Sequence, residues 1–344
     1  YNLKGAKKVM TLKDFYYDQR DAQTEWRKDH ISTNLWGKQN GNEYAHVVPK
    51  NIWEKTLWPG IHKTLSGYLR EKKVKPHSGT HNLLSPWVVA ANLYFIVRID
   101  DTFKKLMLEF LRKYISGNIT GLTETELEYA ESGDNSPNEL LGESGGNRGS
   151  GQTSPDVAFL VETRNGKGIV LTECKFTEHS FYSCSARVKK DTKKRIGNPD
   201  PLRCMISTHG YDHKAICHQT LWGRKYWDLL TLSEKGKNTF KRCPAATAGY
   251  QLFRQQALAE GMANSGKYDL VVSSVSFDNR NIALKGCLGR TGVPDFAKDW
   301  ADLYLGSALF KTWGHQEWVQ YVRENMTTEL QRNWVEYMST RYGY

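Results

Sequence analysis

The amino-acid sequence predicts an α/β fold, and three stretches support this prediction. A β-hairpin is expected over residues 153–176, because two arms rich in β-branched and apolar residues flank Asn165 and Gly166, a pair that favours a tight type I′ turn. A helix is expected over residues 246–263, followed by an apolar strand over residues 268–277. Strands and helices that alternate in this way are typical of an α/β protein.

Two more helices and a loop are predicted before the hairpin. Ser85 and Pro86 are typical of the first positions of a helix, and the apolar side chains between Phe103 and Tyr114 recur at helical spacing. Residues 131–152 are rich in Gly, Ser and Asn, a composition that predicts a loop.

The chain divides into three regions on this basis. Residues 1–78 are basic and rich in aromatic residues, residues 79–290 form the core with an insertion at 176–245, and residues 291–344 are expected to be helical. Spaced tryptophans in the first region are expected in the hydrophobic core, and a DNA-clasping subdomain is the alternative. The C-terminal helices are expected to carry Trp313, Trp318 and Trp334.

Charge and composition favour a nucleic-acid partner. The 344 residues include 48 Lys and Arg against 37 Asp and Glu, a net charge of +11, and 12% of the residues are aromatic. Such proteins often bind polyanions. No apolar run is long enough to cross a membrane, the first residues do not resemble a signal peptide, and the six cysteines lack a short secreted pattern. We therefore expect a cytoplasmic protein with no membrane partner.

The predicted hairpin brings three charged residues onto one face. With a two-residue loop, Asp156 lies opposite Lys175 and diagonal to Glu173. Two carboxylates repel each other unless a cation joins them, and oxygen ligands suit Mg²⁺ or Mn²⁺. A lysine beside such an ion can orient a water molecule for attack on a phosphodiester. A solvated polar face is the alternative, but both arms are otherwise apolar, which leaves the burial of these charges unexplained.

The string Ser-Pro-Asp156, followed on the second arm by Glu173-Cys-Lys175, resembles the motif of the PD-(D/E)xK nuclease superfamily. The flanking residues, from Gln152 onwards and from Lys175 to Phe181, are similar to one bacterial branch of restriction endonucleases. The resemblance implies a restriction-endonuclease-like core, in which helices flank a mixed central sheet.

The resemblance also implies roles for individual residues. Asp156 and Glu173 would hold Mg²⁺ or Mn²⁺ with help from the Cys174 carbonyl, and Lys175 would position the attacking water. Cleavage of DNA would leave a 5′-phosphate. Many members of the superfamily act as dimers, so a homodimer or a partner protein from a defence system is expected.

Nucleases of this superfamily usually carry one more acid upstream of the motif. The resemblance places this acid best on Glu143, as a further metal ligand, with Glu139 as the alternative. The acid normally lies on a helix, whereas the surrounding composition here predicts a loop.

Two further groups of residues are candidates for DNA contacts. In the helix after the motif, Gln251, Arg254 and Gln255 lie within one turn, where the resemblance implies contacts to phosphate or water; ordinary surface polarity is the alternative. The insertion begins with a basic run that is either a clamp on the DNA backbone or a solvated loop. This run includes Lys189, Lys190, Lys193, Lys194 and Arg195.

The insertion also holds four of the six cysteines: Cys184, Cys204, Cys217 and Cys243. Four thiols can bind Zn²⁺ or an iron–sulfur cluster. No Cys-x-x-Cys pair occurs, so buried reduced thiols are the alternative.

The sequence thus predicts a metal-dependent DNA endonuclease, which family analogy links to restriction or anti-phage defence. A structure-specific or exonucleolytic repair nuclease is the alternative if the cysteines hold an iron–sulfur cluster. A non-catalytic nucleic-acid-binding protein is disfavoured, because such a protein needs no carboxylate pair beside a phosphate. If the resemblance is set aside, the insertion could be a zinc module that binds RNA or a protein.

Overall fold

The computed structural model describes residues 12–76, 78–187, 190–191, 195–207, 209–210 and 212–344. A five-stranded sheet forms its centre, with the strands side by side in chain order: β1 (Ile119–Leu127), β2 (Val157–Thr163), β3 (Lys167–Lys175), β4 (Leu270–Phe277) and β5 (Leu309–Gly314). The first three strands pair antiparallel, whereas β3, β4 and β5 pair parallel. The predicted α/β fold with a mixed central sheet flanked by helices is therefore confirmed.

The main helices are α1 (Leu12–His30), α2 (His62–Glu71), α3 (Pro86–Ile99), α4 (Asp101–Tyr114), α5 (Pro137–Leu141), α6 (Tyr250–Asn264), α7 (His315–Asn325) and α8 (Glu329–Tyr342). Shorter helices lie at His213–Ile216, His218–Leu221, Tyr226–Leu229, Glu234–Thr239, Ile282–Lys285 and Phe296–Asp299. Two short ribbons pair Gly37–Gln39 with Asn42–Tyr44 and Thr231–Leu232 with Tyr304–Leu305. None of the helices in the described ranges has the length and apolar surface needed to span a bilayer.

The two faces of the sheet are covered by different parts of the chain. Helices α2, α3, α4, α7 and α8 cover one face, where Phe159 and Val170 point into the core. Helix α6 and parts of the insertion cover the other face, where Leu171 is buried. Because side chains alternate along a strand, Glu173 and Lys175 belong to the face that α6 covers.

The hairpin between β2 and β3 forms as predicted, but its turn differs from the prediction. Glu162 pairs with Lys167, and neither Asn165 nor Gly166 has the positive φ that a type I′ turn requires. The Thr163 hydroxyl instead accepts hydrogen bonds from the N–H groups of Asn165 (3.3 Å) and Gly166 (3.0 Å). A longer loop, held by a side chain, therefore joins the strands.

The predicted register of the hairpin is consequently wrong by two residues. Val157 pairs with Thr172, so Asp156 continues the ladder opposite Glu173 rather than opposite Lys175. A shift of two residues leaves every side chain on its face, whereas a shift of one would have reversed them. The predicted convergence of the three charged residues is therefore preserved.

The C-terminal region is not only helical. The sequence predicts Trp313 on a helix, but this residue lies on β5, while Trp318 and Trp334 lie on α7 and α8. All three side chains are buried. Because β5 pairs with β4, the predicted boundary at residue 290 separates two neighbouring strands of one sheet.

The N-terminal region belongs to the same packed unit. Trp26 and Trp58 are buried, as the core interpretation predicts, whereas Trp36 is 54% exposed. The Trp26 ring meets Tyr337 of α8 edge to face, with ring centroids 5.7 Å apart. Helix α1 thus packs on the C-terminal helix.

A buried asparagine connects the N-terminal region, α3 and α8. Helix α3 begins at Pro86, as predicted, and carries the fully buried Asn92. The Asn92 side chain accepts a hydrogen bond from the Trp58 N–H (2.7 Å) and donates to the Thr56 carbonyl (3.2 Å) and the Tyr342 hydroxyl (2.9 Å).

We expect Asn92→Ala to lower the free energy of unfolding by about 3 kcal/mol, because it leaves the buried Trp58 N–H without an acceptor and takes a donor from the Thr56 carbonyl and the Tyr342 hydroxyl. Chemical denaturation measures this change, with Asn118→Ala at an exposed loop position as the matched control. A loss below about 1 kcal/mol would show that this network does not hold the three segments together.

Candidate active site

One edge of the sheet collects four charged side chains. Asp156 directly precedes β2, Glu173 and Lys175 lie near the end of β3, and Glu128 directly follows β1. Ligands usually bind at this edge of an α/β sheet, beyond the carboxyl ends of the parallel strands. Here the four side chains line a cleft of about 760 Å³.

Asp156 is held at the end of β3 among other acids. Its Oδ2 accepts a hydrogen bond from the Cys174 N–H at 2.7 Å. Burial raises the pKa of Asp156 well above its ordinary value, and the Glu173 and Glu128 carboxylates raise it further, while Lys175 lowers it. The acids of the cleft therefore repel one another more than the lysine compensates.

Lys175 lies between the acids and helix α6, with only 2% of its side chain exposed. Its Nζ lies 2.9 Å from Glu173 Oε1 and 3.5 Å from Glu178 Oε1, and it donates a hydrogen bond to Gln251 Oε1 at 2.9 Å. Burial alone would lower the pKa of Lys175, but the carboxylates of Glu173 and Glu178 outweigh it and raise the pKa. Lys175 is therefore positively charged at neutral pH.

Glu128 is a further acid of the cleft that the sequence did not indicate. Burial raises its pKa to about 8, and Glu173 adds to this effect, while Arg148 opposes it. The Glu128 N–H donates to the Asp156 carbonyl at 2.9 Å, and its φ of 49° lies in the left-handed region. Strained non-glycine residues of this kind are concentrated at functional sites.

Glu143, the acid that the resemblance favours, lines the same cleft but is already bound by several donors. Its carboxylate accepts hydrogen bonds from the Thr153 N–H (2.5 Å), the Thr153 hydroxyl (2.6 Å) and the Tyr226 hydroxyl (3.1 Å). It follows Gly142, the left-handed residue that ends α5. These contacts anchor the segment that leads to Asp156, and the role of Glu143 as a ligand stays a prediction. Glu139, the alternative, is exposed on α5.

Helix α6 forms one wall of the cleft with the three predicted residues. Gln251 accepts the hydrogen bond from Lys175, and Arg254 lies 3.9 Å from Glu143 with 24% of its side chain exposed. Gln255 is buried, and its amide donates to the carbonyls of Leu171 and Ser274 and to the Ser273 hydroxyl. Gln251 and Arg254 are thus turned toward the cleft, whereas the Gln255 amide anchors α6 to the sheet.

The basic run of the insertion is described only in part. Lys190 is exposed, and Arg195 lines the cleft with its guanidinium over the Trp222 ring at 4.8 Å. Lys189, Lys193 and Lys194 lie outside the described residues.

The N-terminal region also reaches this cleft. Tyr16 of α1, Tyr44 of the first ribbon and the nearby His46 line it, and both tyrosines are more than one-third exposed. Their position is compatible with the predicted clasp, which stays a prediction.

The acids suit a hard divalent cation in their chemistry. Glu128, Asp156 and Glu173 offer carboxylate oxygens, the ligands that Mg²⁺ and Mn²⁺ prefer. Burial and mutual repulsion raise the pKa of Glu128 and Asp156, and an added cation would relieve this repulsion. Within the described ranges, no three His, Cys, Asp or Glu side chains surround one ion as they stand, and Glu173 is paired with Lys175. Coordination of one ion by three of these acids would therefore require side-chain rotation.

Comparison with known proteins identifies a family. A search of the curated proteins finds no match, and a search of the solved structures finds none either. The family described as "Restriction Endonuclease associating with ARP" (REase-ARP) matches residues 20–343, which include the whole sheet and all the cleft residues apart from Tyr16. Since this match covers almost the entire chain, the protein belongs to the restriction-endonuclease-like REase-ARP family.

Proposed function

We propose that this chain is a metal-dependent DNA endonuclease of the PD-(D/E)xK type. The observation that carries the proposal is the placement of Asp156, Glu173 and Lys175 together at one edge of the sheet, inside a large polar cleft. Family membership supports nuclease chemistry in general.

Asp156 and Glu173 would hold Mg²⁺ or Mn²⁺, with Glu128 or Glu143 as a further ligand. A bound ion of this kind supplies Lewis-acid stabilisation of charge on a phosphodiester. Lys175 carries a fixed positive charge beside these acids, and Gln251 orients its ammonium group. This lysine would hold a water molecule or a phosphate oxygen at the reacting centre.

Several features of the cleft favour nucleic acid as the substrate. Arg195 and Arg254 line it and can contact phosphates. Tyr182 is 56% exposed, has a φ of 57°, and places its ring 5.5 Å from the Lys175 Nζ. An exposed ring beside the reacting centre can stack on a base next to the scissile phosphate.

The biological setting rests on the family alone. The family description names a restriction endonuclease and its association with ARP, which supports a role in restriction or anti-phage defence. We extend both to this chain as proposals, with a homodimer as the other possible assembly.

The test is a cleavage assay on supercoiled plasmid, linear duplex and single-stranded DNA with Mg²⁺ or Mn²⁺. We expect cleavage that EDTA removes and that Glu173→Ala lowers by about 10³-fold or more, because a metal ligand is lost. The matched control is Glu162→Ala, at an exposed position of the same hairpin.

The pattern of cleavage distinguishes the alternatives. Cutting of linear DNA from its ends, without cutting of the plasmid, would favour an exonucleolytic repair enzyme. A protein that binds DNA but cuts none of the three substrates with either ion would contradict the proposal and favour a binding protein.

A further inference from the structure

The insertion brings together four cysteines that are far apart in the sequence. Cys204, Cys217 and Cys243 line one cavity of about 20 Å³, large enough for a single water-sized particle. The Cys243 N–H donates to the Cys204 carbonyl at 3.2 Å. The fourth, Cys184, accepts a hydrogen bond on its sulfur at 3.1 Å from the side-chain amide of Gln219, which lies two residues after Cys217.

Electrostatic interactions between the thiols connect the same four cysteines. Burial raises the pKa of all four thiols, and the Cys217 thiol acts on the pKa of each of the other three. The pKa values of the remaining cysteines, Cys174 and Cys287, are also raised by burial, but no thiol is among the groups that act on them.

The backbone around these cysteines presents donors to sulfur in a repeated pattern. The Ala186 N–H donates to the Cys184 sulfur at 3.4 Å, two residues further along the chain. In the same way, the Gln219 N–H donates to the Cys217 sulfur, and the Ala245 N–H donates to the Cys243 sulfur. A neutral thiol is a weak acceptor, whereas a thiolate accepts such bonds well, and hydrogen bonds to sulfur are typical of thiolate metal centres.

Three arginines near these cysteines each have one buried donor without an acceptor. Arg203 and Arg242 are sequence neighbours of Cys204 and Cys243, and the Arg187 N–H donates to the Cys184 carbonyl at 3.3 Å. The Nε atoms of all three arginines are buried and have no hydrogen-bond partner in the described part of the chain. A buried donor without an acceptor is unfavourable, so the surroundings suit a group that carries negative charge.

We propose that Cys184, Cys204, Cys217 and Cys243 form a tetrathiolate site for a thiophilic metal, either Zn²⁺ or an iron–sulfur cluster. Four thiolates would supply negative charge near the three guanidinium groups. They would also provide the four donors of a tetrahedral metal site. No three of the described side chains surround one ion as they stand, so closure of the site requires rotation of the thiols. His213 lines the same cavity, but its ring is stacked on Trp227 at 4.6 Å.

Metal analysis of the untagged wild-type protein, purified without a metal column and without oxygen, tests this site. We expect either about one Zn²⁺ per chain or iron with inorganic sulfide and a broad visible absorbance. Cys217→Ser is expected to lower the metal content about tenfold or more, because Cys217 lines the cavity and its thiol interacts with each of the other three. Cys287→Ser, outside the group, is the matched control and is expected to keep the metal.

A second measurement uses the wild-type protein and therefore tests the proposal even if Cys217→Ser does not fold. Titration of wild-type thiols with an organomercurial should release Zn²⁺ or bleach the cluster after about four thiols have reacted. Wild-type protein with less than about 0.1 metal per chain, or equal metal loss in Cys287→Ser and Cys217→Ser, would overturn the proposal. DNA cleavage is not a readout of this test, so its result is independent of the proposed nuclease activity.

Discussion

The Asp156→Asn variant is expected to lose metal-dependent DNA cleavage by about 10³-fold or more and to be more stable than wild type in the absence of metal. The two effects have one cause. Asparagine keeps an oxygen that can accept the hydrogen bond from the Cys174 N–H. It removes a carboxyl group whose pKa is raised by burial and by the neighbouring acids. Loss of that repulsion should raise the free energy of unfolding by on the order of 1 kcal/mol.

Thermal and chemical unfolding in EDTA measure the stability, and plasmid cleavage measures the activity. Asp134→Asn, at an exposed loop position, is the matched control and should change neither. An Asp156→Asn variant that cuts DNA normally would exclude Asp156 from the metal site. Lower stability in this variant would mean that the Asp156 carboxylate is needed for folding.

Glu128→Gln is expected to reduce cleavage by about 100-fold and to move the Mg²⁺ requirement to higher concentrations. The reason is its position: Glu128 shares the end of the cleft with Asp156 and Glu173, and its carboxylate is buried without a described ion pair. Loss of a ligand weakens metal binding, so part of the activity should return at high Mg²⁺.

Glu143→Gln is the discriminating comparison. The Glu143 carboxylate accepts three hydrogen bonds, two from Thr153 and one from Tyr226. Replacing one of its oxygens by an amide group should therefore lower the free energy of unfolding by about 1–3 kcal/mol. Its cleavage at a temperature where it is folded should fall less than tenfold, with an unchanged Mg²⁺ dependence. The reverse result, a metal defect in Glu143→Gln and none in Glu128→Gln, would favour the ligand that the resemblance implies.

The sequence was sufficient to place the three central charges together, although the predicted turn was wrong. Asn165 and Gly166 favour a two-residue turn, but the Thr163 hydroxyl holds a longer one. The convergence of Asp156 and Glu173 depends only on which face each side chain occupies, and the error of two residues preserved the faces.

Glu128 and β5 could not be found in the same way. The strand that precedes Glu128 has a polar pattern with two irregularities in its pairing, so neither its partner nor its end can be read from alternation. The residues around Trp313 in the sequence are compatible with a helix or a strand. Pairing with β4 makes this segment a strand. Likewise, the cysteines of the insertion have no regular spacing, and only folding brings Cys204, Cys217 and Cys243 to one cavity.

The ion pairs of Lys175 have one more consequence under the proposed function. In the described state its ammonium is the internal counterion of Glu173 and Glu178. When a divalent ion takes over the neutralisation of Glu173, the lysine charge becomes available to a phosphate. Metal and DNA would then bind with positive cooperativity, and because binding free energies are reciprocal, DNA would tighten the metal by the same factor. A chain built in this way would take up its catalytic ion most readily when it is already on its substrate.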